Sequence, residues 1–223
     1  MGQLSIDLPR FDAMGRADFM VSPANETALA LVDRYPHWPD NRLALVGSEG
    51  AGKSHLAAIW ATEAGARRID PAALQPDDAV ELASHPLVLE DVDRAMGTPE
   101  ADTALFHLWN ACAQRHQSLL LTARTLPTEW PAVLPDLRSR VASLTPAILQ
   151  EPDDALLSAV LVKQLADRQM NLKPTLLRYM LPRMERSFAA IARTVEALDT
   201  LSLRETGKVD MDLIKRVLGP DPA

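Results

Sequence analysis

A glycine-rich stretch near residue 50 has the residue types and spacing needed to bind phosphate groups. Residues 47–54 read Gly-Ser-Glu-Gly-Ala-Gly-Lys-Ser, which fits the spacing G-x-x-x-x-G-K-[ST]. Glycines let backbone N–H groups turn towards an anion, and the N-terminus of a following helix adds partial positive charge. In this chemistry Lys53 reaches the β- and γ-phosphates and Ser54 holds Mg²⁺. The stretch predicts a site for ATP or ADP with Mg²⁺, formed by Gly47, Ser48, Glu49, Gly50, Ala51, Gly52, Lys53, Ser54 and His55.

Acidic and hydroxyl side chains follow two later apolar runs. Glu90 and Asp91 come directly after Leu-Val-Leu, and Thr122 comes directly after Leu-Leu-Leu. Nucleotide sites of this kind need an acid that holds Mg²⁺ and polarises water. We therefore predict that Glu90 binds the metal together with Ser54 and that Asp91 lies beside it. Thr122 is predicted to sense the γ-phosphate or the attacking water.

The apolar runs themselves predict the elements that position these residues. Short continuous runs at 43–46, 87–89 and 119–121 are typical of strands buried on both faces, and weaker strands are predicted at 66–69 and 141–144. Helical periods are predicted at 25–35, 53–64 and 101–117. From residue 151 onwards only helical periods occur, at 153–169, 174–183, 188–203 and 210–218. The sequence therefore predicts an α/β domain with a parallel sheet over 18–149 and a small helical domain over 150–223.

Composition restricts the class of protein. The chain has 223 residues, 47% of them hydrophobic and 24% charged, with a net charge of −7 and one cysteine. The acidic balance argues against a surface devoted to nucleic-acid backbones, so we expect only indirect or weak contact with DNA. The longest apolar runs are too short to span a bilayer, the N-terminus lacks a secretory pattern, and a lone cysteine fits a reducing compartment. We expect a cytoplasmic protein without a membrane partner.

A family resemblance becomes specific over most of the chain. Gly-Ala-Gly-Lys-Ser-His-Leu at 50–56, the acidic strand end, the Leu-Leu-Thr strand and Leu-Pro-Asp-Leu-Arg-Ser-Arg at 134–140 resemble the AAA+ module of the replication initiator DnaA. They are more similar still to Hda, the DnaA-related family that inactivates the initiator. The resemblance implies an AAA+ P-loop NTPase: an αβα sandwich around a five-stranded parallel sheet, followed by a helical lid. It also implies DnaA as a partner and a location near the nucleoid and replisome, with a homodimer or AAA+-type oligomer left open.

The resemblance assigns one catalytic residue at a distance from the phosphate loop. Arg140 falls on the family's arginine-finger position, and such an arginine stabilises charge that develops on a phosphoryl group held by a neighbouring subunit. Arg138 is expected to be structural. Two positions depart from the family pattern: Glu90 stands where aspartate is usual, and Ala189 stands at the place of a nucleotide-contacting lid arginine, with Arg186 and Arg193 one turn to either side. We therefore expect weak hydrolysis by the chain itself.

The first residues of the chain carry a separate motif. Residues 3–8 read Gln-Leu-Ser-Ile-Asp-Leu and resemble the peptide by which Hda and other replication proteins bind the sliding clamp, the β subunit of DNA polymerase III. Gln3 would offer amide hydrogen bonds, while Leu4, Ile6 and Leu8 would fill apolar pockets from an extended backbone. The alternative is an edge strand that packs on the body of the protein. Residues 1–17 are predicted to be a clamp-binding peptide and linker.

Three functions fit these features to different degrees. The first is a negative regulator of replication initiation, bound to the clamp, that uses Arg140 to stimulate hydrolysis of DnaA-bound ATP. The second is a helicase loader or DNA-remodelling ATPase, which would need a basic and aromatic surface for single strands. The third is a small-molecule P-loop kinase, which would not need the N-terminal motif. The chain ends shortly after its last helical period, so we expect no DNA-reading domain of the kind that follows the lid in DnaA.

Overall fold

The protein is built around a parallel sheet. The computed structural model describes residues 15–16, 19–170, 172–204 and 209–219. Its strands are β1 (Arg42–Val46), β2 (Arg67–Ile69), β3 (Leu87–Leu89), β4 (Leu119–Ala123) and β5 (Pro146–Ile148). They lie in the order β2-β3-β4-β1-β5, and every pairing is parallel. Because the strands are parallel, their carboxyl ends meet at one edge of the sheet, where ligands of such folds bind.

Helices cover both faces of the sheet. Six α-helices belong to this part of the chain: α1 (Glu26–Val32), α2 (Lys53–Ala64), α3 (Ala79–Leu82), α4 (Val92–Ala95), α5 (Pro99–Gln114) and α6 (Pro135–Ala142). Short 3-10 turns lie at Pro39–Asn41, Pro71–Ala73, Pro76–Asp78 and Pro127–Glu129. The helix α2 begins and ends where its sequence pattern predicts, while α5 is shifted by two or three residues at its ends.

Strand alternation divides the core into two layers. Leu45, Val88 and Leu120 pack with α1 and α2 on one face, in a single buried cluster. The residues on either side of them in each strand, such as Ala44, Leu87 and Leu121, point to the other face and pack against α5. Because successive side chains point to opposite faces and both faces are covered, each strand reads as a continuous apolar run. Cys112 of α5 is fully buried in the second layer, and burial raises the pKa of its thiol to about 11, which fits a residue of the packed core.

Four helices form a third cluster after the sheet ends. They are α7 (Asp154–Asp167), α8 (Pro174–Met180), α9 (Phe188–Arg204) and α10 (Met211–Leu218), with a 3-10 turn at Leu181–Arg183. Side chains such as Leu161, Ile191 and Leu198 bury one common core. The side chains of Asp153 and Asp210 cap α7 and α10 by accepting a backbone N–H bond three residues further on, at 2.7 and 2.9 Å. Over the described ranges, no helix has the length and apolar character needed to cross a membrane.

The prediction of the last strand at 141–144 is wrong. Val141 lies in α6, where it and Leu137 form the buried stripe of an amphipathic helix one turn apart. The strand β5 begins at Pro146, five residues after Val141. Proline has no N–H to donate and alanine has weak strand preference, so this segment gives little sequence signal. Its place at the edge of the sheet is one that tolerates proline.

Candidate functional site

The phosphate loop (residues 47–54) connects β1 to α2 at the carboxyl edge of the sheet. Lys53 is the first residue of α2, and only 7% of it is exposed. Its ammonium donates hydrogen bonds to the carbonyl oxygens of Gly47 at 2.8 Å and Ser48 at 2.9 Å. The ammonium is therefore held at the first two residues of the loop, where phosphate oxygens could replace the carbonyl oxygens as acceptors.

Burial and four neighbouring charged groups set the pKa of Lys53. Burial has the largest effect and lowers the pKa of Lys53, because the charged form loses contact with water. The carboxylate of Asp91 acts in the opposite direction, and the guanidinium of Arg124 lowers the pKa further. The ammonium therefore belongs to a charged cluster that extends to the ends of β3 and β4.

Glu90 lies where the sequence predicts a metal ligand, at the end of β3. One of its carboxylate oxygens accepts a hydrogen bond from the hydroxyl of Ser54, and the other accepts one from the guanidinium of Arg68. Ser54 and Glu90 supply the oxygen donors that Mg²⁺ prefers. One carboxylate oxygen is paired with the guanidinium of Arg68, and this positive charge makes the arrangement a poor fit for Mg²⁺ while Arg68 stays in place. The described residues contain no group of three or more histidine, cysteine or acidic side chains that could hold a metal.

Asp91 and Thr122 are brought together at the ends of β3 and β4. The backbone N–H of Asp91 donates to the hydroxyl of Thr122 at 3.0 Å, and Thr122 is 1% exposed. Asp91 has a left-handed backbone with φ of 51°, an unusual conformation for a residue with a side chain. The Thr122 hydroxyl therefore helps to hold this turn, which sets the direction of the Asp91 carboxylate beside Lys53.

Sequence reasoning gave Arg124 and Asp93 no individual role in the nucleotide site. Arg124 forms an ion pair with Glu49 of the phosphate loop at 2.8 Å. Its backbone N–H donates to the carboxylate of Asp93 at 2.9 Å. The other oxygen of that carboxylate is buried and has no hydrogen-bond partner in the described structure. The position of Arg124, two residues after Thr122, was the available signal, but its partners are distant in sequence.

The lid contacts the phosphate loop directly. The backbone N–H of Phe188 donates to the carbonyl oxygen of Gly50 at 3.2 Å. Gly50 has φ of +76°, and a Cβ built on it would lie 2.5 Å from the Cβ of Ser187. A Cβ on Gly52 would lie 3.3 Å from the ring of Phe188. The start of α9 can approach the loop this closely because the loop has no side chains there.

We predict that Gly50→Ala separates the lid from the loop. Alanine at a positive φ is strained, and its Cβ collides with Ser187, so the free energy of unfolding should fall by about 1–3 kcal/mol. Denaturant titration measures it. The matched control is Gly65→Ala, because Gly65 has φ of +62° but nothing within 4 Å of a built Cβ. Equal losses for the two variants would mean that the lid contact adds nothing to stability.

The remaining predicted nucleotide contacts lie to either side of the loop. His55 packs its ring edge-on against Phe19, with centroids 5.5 Å apart, which places it on the α1 side of the loop. In the lid, Ala189 is exposed. Arg186 pairs with Asp154 at 2.9 Å, and Arg193 pairs with Glu185 at 3.2 Å, both at exposed positions. Among the described residues, neither arginine forms a hydrogen bond or ion pair with the phosphate loop.

Arg140 lies at the opposite edge of the sheet. It is half-buried on α6, its guanidinium donates to the side-chain oxygen of Asn110, and it lies 4.6 Å over the ring of Phe106. Trp109 precedes Asn110 on α5, and its backbone carbonyl oxygen accepts a hydrogen bond from the guanidinium of Arg42. Arg42 is the first residue of β1. The phosphate loop follows the carboxyl end of that strand, about 13 Å further along at roughly 3.3 Å per residue. Arg140 is therefore separated from the chain's own phosphate loop.

Two other predicted features have different outcomes. The guanidinium of Arg138 donates to the carbonyl oxygen of Ala132 at 2.8 Å, which is a local structural contact. The predicted clamp-binding residues Gln3, Leu4, Ile6 and Leu8 lie outside the described residues.

The strand order, the phosphate loop and the helical lid together define an AAA+ fold. Domain III of DnaA from Thermotoga maritima has the same fold, with a TM-score of 0.78 at 18% identity over 93% of this chain and 98% of that one. DnaA from Aquifex aeolicus bound to AMPPCP superimposes with a TM-score of 0.68 at 17% identity over 89% of this chain and 68% of that one.

Comparisons of the sequence relate the chain to the Hda lid domain and to DnaA. The family model of the Hda lid domain matches residues 153–218. The initiator DnaA of Desulfotalea psychrophila is 22% identical over 133 residues, which are 60% of this chain. The chain spans only 28% of the length of that relative. Residues 153–218 therefore match the lid of the Hda family, and the chain as a whole has the fold of DnaA domain III.

Proposed function

We propose that this protein is a negative regulator of replication initiation that stimulates hydrolysis of ATP bound to DnaA. The observation that carries the proposal is the position of Arg140. It lies at the sheet edge opposite the chain's own phosphate loop and is oriented by Asn110 and Phe106. An arginine in this position can serve a nucleotide held by another subunit, where it would stabilise charge on the transferred phosphoryl group.

The chain's own loop is proposed to bind ATP or ADP. The ammonium of Lys53, the loop backbone and the start of α2 supply the positive groups that phosphates need. The start of α9 touches the same loop, so a bound nucleotide would sit next to the lid contact and influence the lid's position. In this role the nucleotide stabilises one shape of the regulator, and the catalytic event takes place on DnaA.

The test is a turnover assay of DnaA-bound ATP. Radiolabelled ATP is loaded on DnaA, and its conversion to ADP is followed with and without DNA-loaded clamp and this protein. We expect ATP on DnaA to be converted to ADP faster when both the DNA-loaded clamp and this protein are present. An unchanged rate with correctly folded, nucleotide-loaded protein would refute the regulatory function, while single-strand DNA binding by the same preparation would favour the helicase-loader alternative.

We predict that deletion of residues 1–9 removes binding to the sliding clamp. Leu4, Ile6 and Leu8 would each bury an apolar side chain worth about 1.5–3 kcal/mol, so affinity should fall by at least about a hundredfold. Surface plasmon resonance on immobilised clamp measures the change. A chain with residues 1–9 in scrambled order keeps length and charge and should bind as poorly as the deletion. Retained affinity in either variant would contradict the peptide assignment.

A further inference from the structure

Strand geometry brings an arginine to the metal side of the phosphate site. Arg68 of β2 is paired in register with Val88 of β3, and Glu90 lies two residues beyond Val88. Side chains two residues apart in a strand share a face, so Arg68, Val88 and Glu90 all point to the same side of the sheet. Val88 packs in the layer that contains α2, whose second residue is Ser54. Arg68 is therefore directed towards the start of α2.

At this point each carboxylate oxygen of Glu90 accepts one hydrogen bond, and one of the two donors is a cation that opposes the approach of a metal ion. Ser54 donates to one oxygen and Arg68 to the other. In the described part of the chain, Glu90 is the one hydrogen-bond partner of the Arg68 guanidinium. Half of the Arg68 side chain is exposed, compared with 24% of Glu90. The remaining N–H groups of the guanidinium can therefore donate to an oxyanion that enters the site.

We propose that Arg68 supplies the positive charge at the metal side of the site, so that this chain binds a nucleoside diphosphate or triphosphate without requiring Mg²⁺. The inference rests on the proposed nucleotide binding. A guanidinium carries a permanent charge and presents several donors that match phosphate oxygens. Mg²⁺ gives up its water reluctantly and needs ordered oxygen ligands. The guanidinium of Arg68 is already fixed to β2, so it requires neither the removal of bound water nor a set of ordered oxygen ligands.

Glutamate in place of aspartate suits this arrangement. Its additional methylene group extends the carboxylate away from the strand end, where one oxygen meets Ser54 and the other meets Arg68. The acid then orients two donors instead of coordinating a metal. This accounts for a glutamate at a position where the sequence resemblance expects an aspartate.

The experiment measures ADP and ATP affinity of the full chain by calorimetry, once with excess Mg²⁺ and once with EDTA. The variant is Arg68→Ala, and the matched control is Arg67→Ala, because Arg67 is an exposed neighbour on the opposite face of β2. The wild type and the control should change their dissociation constants by less than about threefold between the two conditions. Arg68→Ala should lose about tenfold or more in EDTA and regain affinity with Mg²⁺. Arg68→Lys, which keeps the charge, should fall between them.

The possible results distinguish a failure of the role of Arg68 from a failure of the proposed nucleotide binding. Wild-type binding that collapses in EDTA would overturn the role of Arg68 while leaving nucleotide binding intact. Equal affinities of wild type and Arg68→Ala in EDTA would overturn it as well. A folded wild-type chain that binds neither nucleotide in either condition would refute the proposed nucleotide site itself, and the inference with it.

Discussion

Replacing Arg140 by alanine should reduce stimulated hydrolysis of DnaA-bound ATP by about a thousandfold or more, down to the rate of DnaA alone. The reason is electrostatic: the guanidinium would neutralise charge that develops on the transferred phosphoryl group, and alanine offers no charge and no donor. Conversion of labelled ATP on DnaA, in the presence of DNA-loaded clamp, measures the effect.

The fold of this variant should survive. Arg140 is only half-buried, and its contacts with Asn110 and the ring of Phe106 connect α6 to α5 at half-buried positions. An exposed contact between a cation and an aromatic ring is worth about 0.5–1 kcal/mol, a small part of the stability of a domain. Nucleotide binding should also be unchanged, because the phosphate loop is at the other end of β1.

The matched control for this prediction is Arg138→Ala. It lies on the same helix and removes the same charge, but its guanidinium bonds to the carbonyl oxygen of Ala132. It should keep most of the stimulation. If Arg140→Ala stimulated hydrolysis as well as the wild type, the arginine-finger assignment would be wrong. If both variants failed equally, the loss would reflect the charge of α6 in general.

Local sequence signals predicted the parts of the fold and site that depend on neighbours along the chain. The phosphate loop and the start of α2 at Lys53 follow from glycine spacing and helix geometry within one short stretch. The buried strands β1, β3 and β4 follow from apolar runs that are continuous because both faces are covered. Glu90 and Asp91 were placed correctly at the end of β3, since a strand fixes where its last residue points.

Contacts between distant segments could not be read in the same way. Arg68 and Glu90 are 22 residues apart, and their contact depends on the register between β2 and β3. Alternation along the strands would have placed them on one face, but only once the pairing was known. The ion pair between Arg124 and Glu49 depends on how two loops meet. The strand β5 was misplaced because Val141 fits an amphipathic helix as well as a strand.

Replacing Lys53 by alanine should lower the affinity for ADP and ATP by about ten- to a hundredfold. Hydrogen bonds to charged groups contribute about 1.5–3 kcal/mol, and the ammonium is a buried cation within the phosphate loop. Its removal also leaves the carbonyl oxygens of Gly47 and Ser48 without their donor, so the loop loses a contact that holds its shape. Calorimetry with the full chain measures the dissociation constants, and Lys215→Ala, an exposed lysine on α10, is the control for lost charge. An unchanged dissociation constant in Lys53→Ala would mean that phosphate does not bind at this loop.

The same lysine should give nucleotide binding a characteristic pH dependence. Burial is the main cause that lowers the pKa of Lys53 below its ordinary value of 10.5. Phosphate binding needs the protonated ammonium, so affinity should be full well below this lowered pKa and should fall as the pH rises through it, while the fold is still intact. Lys53→Arg keeps its charge at alkaline pH and should remove the decline, because a guanidinium does not deprotonate in this range. A decline that persists in Lys53→Arg would assign the titration to another group of the site and would show that the ammonium of Lys53 does not control phosphate binding.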